Sequence, residues 1–514
     1  MTVAAPDKPQ VARIPGAHEP RRTGPAGWTA WLALLPAVVI AAVSLIGASD
    51  REIWADELAT YHAITISWSE LGRLFTNLDI IHSFYYVLMR GWIAVAGDSL
   101  LALRIPSITA LALTGSVVVL IGRRLVSTPV GVVAGLLLAI IPSISRYAQE
   151  IRSFGFVTLL ATLSTYLLLR ALERPTGRRW AAYTAATALT GLVHFMGITV
   201  VGGQLLYLLL TTSRRDETRR WRFAGALGAV VLIVLPLPAL AQQQSGQVAW
   251  VTTNAAKTRG FLGRVMLSDD LAWVLVPLAL LGVLVLWQRH RAAGVMLVTW
   301  AVTPIVFGLV TVSVLHLFVA RYMLFTVPAW ALLAATTICH VAHPLGRRAH
   351  GTWWVLGAAL ALPACTYLAL PDHHSVRKSP VEEQADYRPA LFYVRDHYKP
   401  QDGIVYNDNR SDRNQLARSA AEYELRRGGP RDVLLYQTAG QIGYFGAKEC
   451  PDPAPCLADE QRLWLVSTTT AKNPWDGMKP AAADILAKNF QIKDDKRFLK
   501  VRVVLLVRGP AAKK

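Results

Sequence analysis

Long apolar runs separated by short basic segments are the feature that most constrains how this 514-residue chain can fold. Several runs approach the 20 or so residues that an α-helix needs to cross a lipid bilayer. Apolar residues make up 53% of the chain and charged residues 17%, which excludes an ordinary soluble multidomain protein. The net charge of +19 does not indicate nucleic-acid binding, because Lys and Arg lie mainly between the apolar runs. The sequence predicts a polytopic α-helical membrane protein.

The basic segments predict the direction of each crossing. Residues 1–27 contain Pro, Ala and Arg but no apolar run, so we predict a disordered basic tail in the cytoplasm. About eleven spans follow within residues 28–370, with arginine-rich loops inside and the chain leaving the last span outside. Segment 84–96 is apolar but short and carries Arg90, and counting it as a span would place the next arginine pair outside. We therefore predict an interfacial helix there, in the first outer loop.

The remainder of the chain, residues 371–514, has mixed polar sequence with short runs typical of β-strands. These runs are residues 403–406, 432–436, 463–466 and 501–507. We predict a small α/β domain outside the membrane. Cys450 and Cys456 enclose the loop CPDPAPC, which can form a disulfide in an oxidising compartment and so agrees with that placement. A zinc site is the alternative, although no CxxC motif or clustered His accompanies the pair.

Two outer segments carry carboxylates. Asp56 and Glu57 are adjacent and framed by aromatic residues just after the first span. A carboxylate partly sheltered at this depth can have a raised pKa and serve as a general base. Segment 145–153 places Glu150 between arginines at the same predicted depth, so the two segments are expected to share one cavity. Asp56, Glu57 and Glu150 are the candidate catalytic residues; the alternatives are a solvated loop and a local ion pair.

Several arginines lie on the predicted outer side, where the positive-inside rule disfavours them. A charge at membrane depth is costly unless it is paired or hydrated, and a planar guanidinium suits a phosphate in the headgroup layer. Local ion pairs and snorkelling to ordinary lipids are the alternatives. The candidate phosphate-binding residues are Arg104, Arg146, Arg152, Arg321 and Tyr322. The candidate substrate-binding residues are His82, His194 and Tyr61, and a hydrogen-bonded core residue is the alternative for each histidine.

Five short segments, taken in order, carry a family resemblance. They are Trp54-Ala55-Asp56-Glu57, His82-Ser83-Phe84-Tyr85-Tyr86, Leu103-Arg104-Ile105-Pro106-Ser107, Ser145-Arg146-Tyr147-Ala148-Gln149-Glu150-Ile151-Arg152 and Arg321-Tyr322-Met323-Leu324. Together they resemble the C-superfamily of membrane glycosyltransferases (GT-C), in the branch of protein O-mannosyltransferases and lipid A aminoarabinose transferases. The resemblance covers about residues 28–345. The chain departs from the branch at Ser83-Phe84, where prolines are frequent, and at Glu150, where Asp is frequent.

The resemblance implies an inverting, metal-independent transfer of a sugar, such as mannose or arabinose, from a polyprenyl-phosphate donor. The acceptor would be a hydroxyl of a cell-wall glycan, a lipid or a protein at the outer face of the plasma membrane. Asp56 would act as base, Glu57 or Glu150 would orient the acceptor or hold sugar hydroxyls, and the arginines would hold the phosphate. No cofactor, metal or nucleic acid is implied, and the DxD motif of metal-dependent enzymes is not expected. A glycan ligase is one alternative.

A transporter or flippase for a lipid-linked sugar is the other alternative. Transporters usually carry charged or broken helices at mid-membrane, in two related halves. In this sequence the charges gather at one predicted face and no halves repeat. These features favour an enzyme.

Overall fold

The structure is a computed structural model that describes residues 26–213, 216–247, 258–341, 353–380, 384–407, 416–469 and 471–509. Within these ranges helices predominate as far as Ser375, and a mixed α/β region follows. The predicted cytoplasmic tail lies outside the described residues except for its last two positions.

The first part of the chain contains eighteen described α-helices. In chain order the eighteen are α1 (Ala26–Leu45), α2 (Ala55–Thr65), α3 (Trp68–Leu74), α4 (Ser83–Ala96), α5 (Leu100–Leu125), α6 (Thr128–Ile140), α7 (Pro142–Ala148), α8 (Phe154–Glu173), α9 (Gly177–Val193), α10 (Val200–Thr211), α11 (Glu217–Val234), α12 (Pro236–Ala241), α13 (Phe261–Met266), α14 (Asp269–Arg289), α15 (Arg291–Val310), α16 (Val312–Leu315), α17 (Val327–Val341) and α18 (Trp353–Ser375). A π-helical turn at Phe75–Asp79 and 3-10 turns at Ile80–His82, Phe195–Thr199, Gln242–Gln247 and Ala320–Thr326 connect them.

Seven helices in the described ranges are long and apolar enough to cross a membrane, and the bent pair α6 and α7 makes an eighth if it is one span. Two shorter apolar helices, Trp31–Leu45 and Phe195–Thr211, lie where further spans are predicted. The polytopic helical architecture predicted from the sequence is therefore confirmed. The count of eleven spans and the orientation of the chain stay predictions.

Small residues let the helices of this bundle approach closely. Gly122 of α5 lies against Gly131 of α6 so closely that a Cβ atom on either would meet backbone atoms of the other helix. Gly282 of α14 meets the carbonyl of Leu333 in α17 in the same way. Lipid tails are as apolar as leucine, so close packing of this kind, rather than the hydrophobic effect, holds helices together inside a membrane.

A proline produces the bend that shapes the second outer segment. Pro142 is the first residue of α7, and the preceding Ile141 is extended (φ −72°, ψ 118°), as residues before proline usually are. The axis turns by 66° between α6 and α7. The short α7 then leads into residues 149–153, which connect it to α8. The bend places this connection beside the first outer segment.

Helix α4 has one buried face and one exposed apolar face. Tyr85, Tyr86 and Met89 are buried on one side, whereas Val87 and Val95 are exposed. An exposed apolar face is what a helix at the membrane interface buries among lipids. The helix matches the predicted segment 84–96 within one residue at its start.

The α/β region contains a five-stranded sheet. Its elements are α19 (Tyr387–His397), β1 (Gly403–Asn407), α20 (Leu416–Glu424), β2 (Arg431–Asp432), β3 (Leu435–Gln437), α21 (Ala439–Ile442), β4 (Lys448–Glu449), α22 (Pro453–Leu457), β5 (Arg462–Ser467), α23 (Pro480–Asn489), β6 (Phe490–Phe498) and β7 (Val501–Arg508). The strand order is β2-β1-β5-β7-β6, and β3 pairs with β4 in a separate ribbon. Strand β1 runs parallel to β2 and β5, whereas β7 is antiparallel to β5 and β6.

The predicted strands at 403–406, 463–466 and 501–507 are confirmed as β1, β5 and β7. The predicted strand 432–436 is wrong as a single element, because the structure divides it between β2 and β3, which belong to different sheets. Strand β6 was not predicted. It is a mostly exposed edge strand of sequence FQIKDDKRF, and so it lacks the apolar alternation that indicates a strand. The structure joins Cys450 and Cys456 in a disulfide.

One apolar core joins the α/β region to the first outer loop. Ile53 and Leu58 of the loop, Leu103 of α5, and Tyr387 and Leu391 of α19 belong to the same buried cluster. The α/β region therefore packs directly on the segment that carries the Asp56-Glu57 pair.

Candidate active site

The two adjacent carboxylates of the first outer loop lie in the first turn of α2. Successive residues of an α-helix point about 100° apart, so neighbours in sequence face different surroundings. Glu57 folds back and accepts a hydrogen bond from the Trp54 amide at 3.4 Å, as the acidic residue of a capping box does. Asp56 points elsewhere. The local helix therefore separates the two carboxylates.

Glu57 is completely buried and ion-paired with Arg104, which is equally buried. The guanidinium of Arg104 donates to both Glu57 oxygens at 3.1–3.3 Å, and the Ile151 amide donates to Oε1 at 2.9 Å. Burial alone would raise the pKa of Glu57, but the nearby charges of Arg104 and Arg51 and these hydrogen bonds more than offset it and lower the pKa. Glu57 is thus a buried carboxylate that pairs with α5 and accepts a hydrogen bond from segment 145–153.

The guanidinium group of Arg104 directs its donors at acceptors within the protein. Besides Glu57 it donates to the carbonyl oxygens of Ala48 at 2.9 Å and Arg51 at 3.0 Å. Its side chain therefore connects α5 to the chain that leaves α1. A buried charge is tolerated only with such complete pairing.

Asp56 is only partly buried and lies between two other arginines. Its Oδ2 atom is 3.3 Å from Nη2 of Arg321, with 28% of the Asp56 side chain and 18% of the Arg321 side chain exposed. From the other side, Arg152 Nη1 donates to the main-chain oxygen of Asp56 at 3.4 Å and to Oγ1 of Thr60 at 3.3 Å. The pair formed by Asp56 and Arg321 is thus accessible, unlike the pair behind it.

Arg152 is held in place by a third carboxylate through a histidine. Its Nη2 lies 3.4 Å from Nε2 of His82, and Nδ1 of His82 lies 2.6 Å from Oδ1 of Asp79. The hydroxyl of Tyr86 donates to the other Asp79 oxygen at 2.6 Å. Burial alone would raise the pKa of Asp79, but His82, Tyr86 and Arg152 offset it and lower the pKa. Asp79 therefore remains a carboxylate and orients the imidazole.

Aromatic rings form the wall next to Arg321. The rings of Tyr322 and His194 meet edge to face with centroids 4.8 Å apart, and Phe154 packs 6.0 Å from His194. Burial, together with the nearby His82, Arg152 and Arg321, lowers the pKa of His194 to about 3, so its imidazole is neutral.

Trp54 completes the wall. The guanidinium carbons of Arg321 and Arg146 lie 5.7 Å and 5.6 Å from the centroid of its ring. An arginine over an aromatic face is favourable, more so when it is shielded from water. Arg146 is itself buried and ion-paired with Glu150.

Polar atoms around Asp56 have unused hydrogen-bonding capacity. Among the described residues, these buried atoms have no hydrogen-bond partner: Nε of Arg152, Nε of Arg321, Nδ1 of His194 and Nε1 of Trp54. Buried polar atoms in native proteins are nearly always hydrogen-bonded, so such a group concentrated in one place calls for an explanation. A polar ligand with acceptor oxygens would satisfy the two guanidinium groups.

The sequence and the structure resemble known membrane glycosyltransferases. Residues 84–239 match the family model described as dolichyl-phosphate-mannose-protein mannosyltransferase. ArnT from Cupriavidus metallidurans in the apo state matches with a TM-score of 0.61 at 15% identity, covering 94% of this chain and 100% of that one. The structure of that protein bound to undecaprenyl phosphate matches with a TM-score of 0.55 at 14% identity, over 95% and 100% of the two chains. No curated protein sequence matches this chain.

A third structure is more distant. The Archaeoglobus fulgidus oligosaccharyltransferase in the apo form matches with a TM-score of 0.53 at 11% identity, covering 90% of this chain and 73% of that one. The fold is that of the GT-C membrane glycosyltransferases. The resemblance predicted from the sequence is thereby confirmed.

Within the GT-C fold, the predicted site residues fall into three groups. Six lie around one site: Asp56, Arg152, Arg321, Tyr322, His82 and His194. Four lie behind it as two buried ion pairs, Glu57 with Arg104 and Glu150 with Arg146. The roles predicted for these ten residues stay predictions.

Tyr61 forms the third group. Its hydroxyl donates to Asp98 at 3.1 Å, and its ring meets that of Tyr423 in α20 at 4.8 Å. These contacts place it against the α/β region, on a different side of α2 from the Asp56 surroundings.

Four residues around Asp56 are not among the predicted site residues: Asp79, Tyr86, Thr60 and Trp54, whose ring packs against Arg321. Asp79 lies in a π-helical turn, a conformation that no apolar periodicity announces. One signal was present, since an acidic residue three positions before a histidine can meet it within a helical turn. Thr60 is four residues after Asp56, and this spacing predicts that the two lie on the same face of α2.

Proposed function

We propose that this GT-C protein transfers a sugar from a polyprenyl-phosphate donor to a hydroxyl acceptor at the outer face of the plasma membrane. The observation that carries the proposal is the placement of an accessible carboxylate, Asp56, between two arginines whose Nε atoms are buried and unbonded among the described residues. The match to ArnT, whose structure with undecaprenyl phosphate has the same fold, supports the choice of a lipid-phosphate donor.

Arg321 and Arg152 bind the donor phosphate in this proposal. Guanidinium groups suit phosphate because they offer a planar fork of donors, and charge-assisted hydrogen bonds of this kind are about twice as strong as neutral ones. Burial and the opposing charges of Asp56 and Asp79 act in opposite directions on the pKa of Arg152, and the charges prevail and raise it. Arg152 is therefore a permanent cation at the place where the phosphate leaves.

Asp56 acts as the general base. When the phosphate takes Nη2 of Arg321, the carboxylate loses its ion-pair partner at 3.3 Å and becomes free to accept a proton. The acceptor oxygen forms a bond with the anomeric carbon while the carbon–phosphate oxygen bond breaks. The acceptor proton passes to Asp56, and the electron pair leaves with the lipid phosphate, which the arginines stabilise. One displacement of this kind inverts the anomeric centre.

The two ion pairs behind the site are structural in this proposal. Glu57 with Arg104 and Glu150 with Arg146 fix the outer segments so that Asp56 and Arg152 face each other. Glu57, Glu150, Arg104 and Arg146 then contact neither donor nor acceptor. His194 and Tyr322 line the sugar side, where a neutral imidazole and a phenol can bind hydroxyl groups. His82, whose two ring nitrogens contact Asp79 and Arg152, orients Arg152.

Metal independence is part of the proposal, because the two guanidinium groups supply the positive charge at the leaving group. Among the described residues, no three His, Cys, Asp or Glu side chains gather into a group that could hold a metal ion. Transfer is expected to continue in excess EDTA and to be unaffected by added Mg²⁺ or Mn²⁺. Loss of activity in EDTA that Mn²⁺ restores would refute this part.

The deciding experiment uses the full chain reconstituted in vesicles. Radiolabelled polyprenyl-phosphate mannose, arabinose and aminoarabinose are supplied with membrane extracts as acceptors, and the product is isolated and its anomeric configuration determined by NMR. Transfer of one label with inversion supports the proposal. Labelled lipid that crosses the vesicle membrane without transfer indicates a flippase, and retention of configuration excludes the single displacement.

A further inference from the structure

The segment that carries Asp56 is held by residues of the chain that follows the last helix of the bundle. These residues, which we call the clamp, are Val376, Ser379, Gln384 and Arg388. Each makes a hydrogen bond with a residue between Asp50 and Ala55. No resemblance or motif in this sequence assigns a role to that part of the chain.

Gln384 caps the helix of the base. The first N–H groups of an α-helix have no partner within the helix and need one elsewhere. Ala55 is the first residue of α2, and its N–H donates to Oε1 of Gln384 at 3.3 Å. Asp56 is the next residue, so the clamp acts one peptide bond away from the proposed base.

Arg388 makes the largest number of clamp contacts. Its own N–H donates to Oε2 of Glu52 at 3.0 Å, and its Nη1 donates to the carbonyl of Asp50 at 3.1 Å. Its Nε pairs with Glu424 of α20 at 2.9 Å, which keeps the guanidinium directed at the loop. Two further hydrogen bonds, from Glu52 N to Ser379 Oγ and from Arg51 Nη1 to the Val376 carbonyl, are each 3.3 Å long.

The clamp is itself anchored to the bundle. Arg377 donates to the carbonyls of Val43 at 2.9 Å and Ile46 at 3.2 Å, at the end of α1. Nε2 of His373 lies 2.8 Å from the carbonyl of Ile140, where α6 ends. Both anchors adjoin the Val376 end of the clamp and tie that end to α1 and α6.

We infer that the clamp positions Asp56 for the reaction, so that the α/β region is a working part of the active site. This inference rests on the proposed function of Asp56 as the base. Gln384 and Arg388 touch neither donor nor acceptor and act through the segment they hold. Small displacements of a reacting group can cost up to about 100-fold in rate. Loosening the segment should therefore lower kcat while the donor, bound by Arg152 and Arg321, keeps its KM.

The test compares Arg388→Gln with wild-type protein in two measurements. Amide hydrogen exchange of residues 49–58 is expected to become faster in Arg388→Gln. In the transfer assay, kcat is expected to fall about tenfold with the donor KM changed less than about twofold. Arg388→Lys, which keeps the charge and one donor, is expected to recover part of kcat. Gln384→Ala, which removes only the cap, is the second variant and is expected to lower kcat about threefold.

Arg395→Gln is the matched control. Arg395 lies in the same helix, α19, and pairs with Asp396 on the surface. Its replacement is expected to leave both the exchange rate and kcat unchanged.

Unchanged exchange in both Arg388→Gln and Gln384→Ala overturns the clamp, whatever the activity. Faster exchange with unchanged kcat overturns it too, because Asp56 would then not depend on the clamp. Wild-type protein that is inactive with every donor refutes the proposed function instead. In that case the exchange comparison still decides whether the clamp holds the segment.

Discussion

Two neighbouring carboxylates in the first turn of α2 each pair with an arginine, and the two pairs differ in burial and in hydrogen bonding. Glu57 and Arg104 are both fully buried, and each oxygen and most donors are hydrogen-bonded. Asp56 and Arg321 are partly exposed and share one contact at 3.3 Å. The first pair has no remaining capacity for a ligand, whereas the second has unbonded donors beside it.

Burial and hydrogen bonding together separate a structural ion pair from one that can bind a ligand. A fully satisfied buried pair is costly to break and useless for binding, which is the signature of a structural element. A partly satisfied pair has donors that can still form hydrogen bonds with a substrate.

The largest effect is expected from Asp56→Asn. The amide keeps the size of the side chain but accepts no proton, and general base catalysis contributes about 10²–10⁴-fold. We expect kcat to fall by about that factor, measured by label transfer, with the donor Kd and the thermal unfolding temperature close to wild type. Retained activity in Asp56→Asn would remove Asp56 from the mechanism.

Breaking the buried pair with Glu57→Gln is expected to act on stability first. The change leaves the Arg104 charge buried without its partner, which costs about 3–5 kcal/mol. The expected result is a lower unfolding temperature in detergent, with kcat per folded molecule changed much less than in Asp56→Asn. The double variant Glu57→Leu with Arg104→Met should regain part of the stability, because the charge is then removed as well. A Glu57→Gln protein of normal stability and no activity would instead give Glu57 a catalytic role.

Parts of this picture could be predicted from the sequence. The helical bundle and the convergence of the segments that carry Asp56 and Glu150 follow from apolar runs and charge placement. The opposite environments of Asp56 and Glu57 could not be predicted, because they depend on where α2 begins and which side of it meets α5. The roles of Gln384 and Arg388 depend on packing between segments more than 300 residues apart in the chain.

A moderate effect is expected from Arg152→Lys, compared with Arg146→Lys. Lysine keeps the charge but loses the planar fork, so Arg152→Lys should weaken binding of the donor by about tenfold, or about 1.4 kcal/mol. Arg146 is paired with Glu150 behind the site, so Arg146→Lys is expected to lower stability and leave the donor Kd unchanged. Titration with a fluorescent polyprenyl phosphate measures both constants. Equal losses of affinity in the two variants would contradict the division between them.

The smallest effect concerns Glu52, a third carboxylate of the same loop. Burial raises its pKa to about 7, and the hydrogen bond and charge of Arg388 only partly oppose the burial and the like charges of Asp386 and Glu424. The folded state therefore binds the proton more tightly than the unfolded state, so the stability contributed by Glu52 falls as pH rises from about 4.5 to 7.

Glu52→Gln removes this titration. We expect the variant to match wild type at pH 5 and to unfold about 2–4 °C higher at pH 8, measured by thermal unfolding in detergent. If the unfolding temperatures of Glu52→Gln and wild type differ by the same amount at pH 5 and at pH 8, Glu52 is ionised and solvated in the folded protein. Together with the Asp56 and Glu57 variants, the result would place three carboxylates of one loop in order, from a base that acts in transfer, through a paired charge that supports the fold, to a buried acid whose ionisation the fold resists.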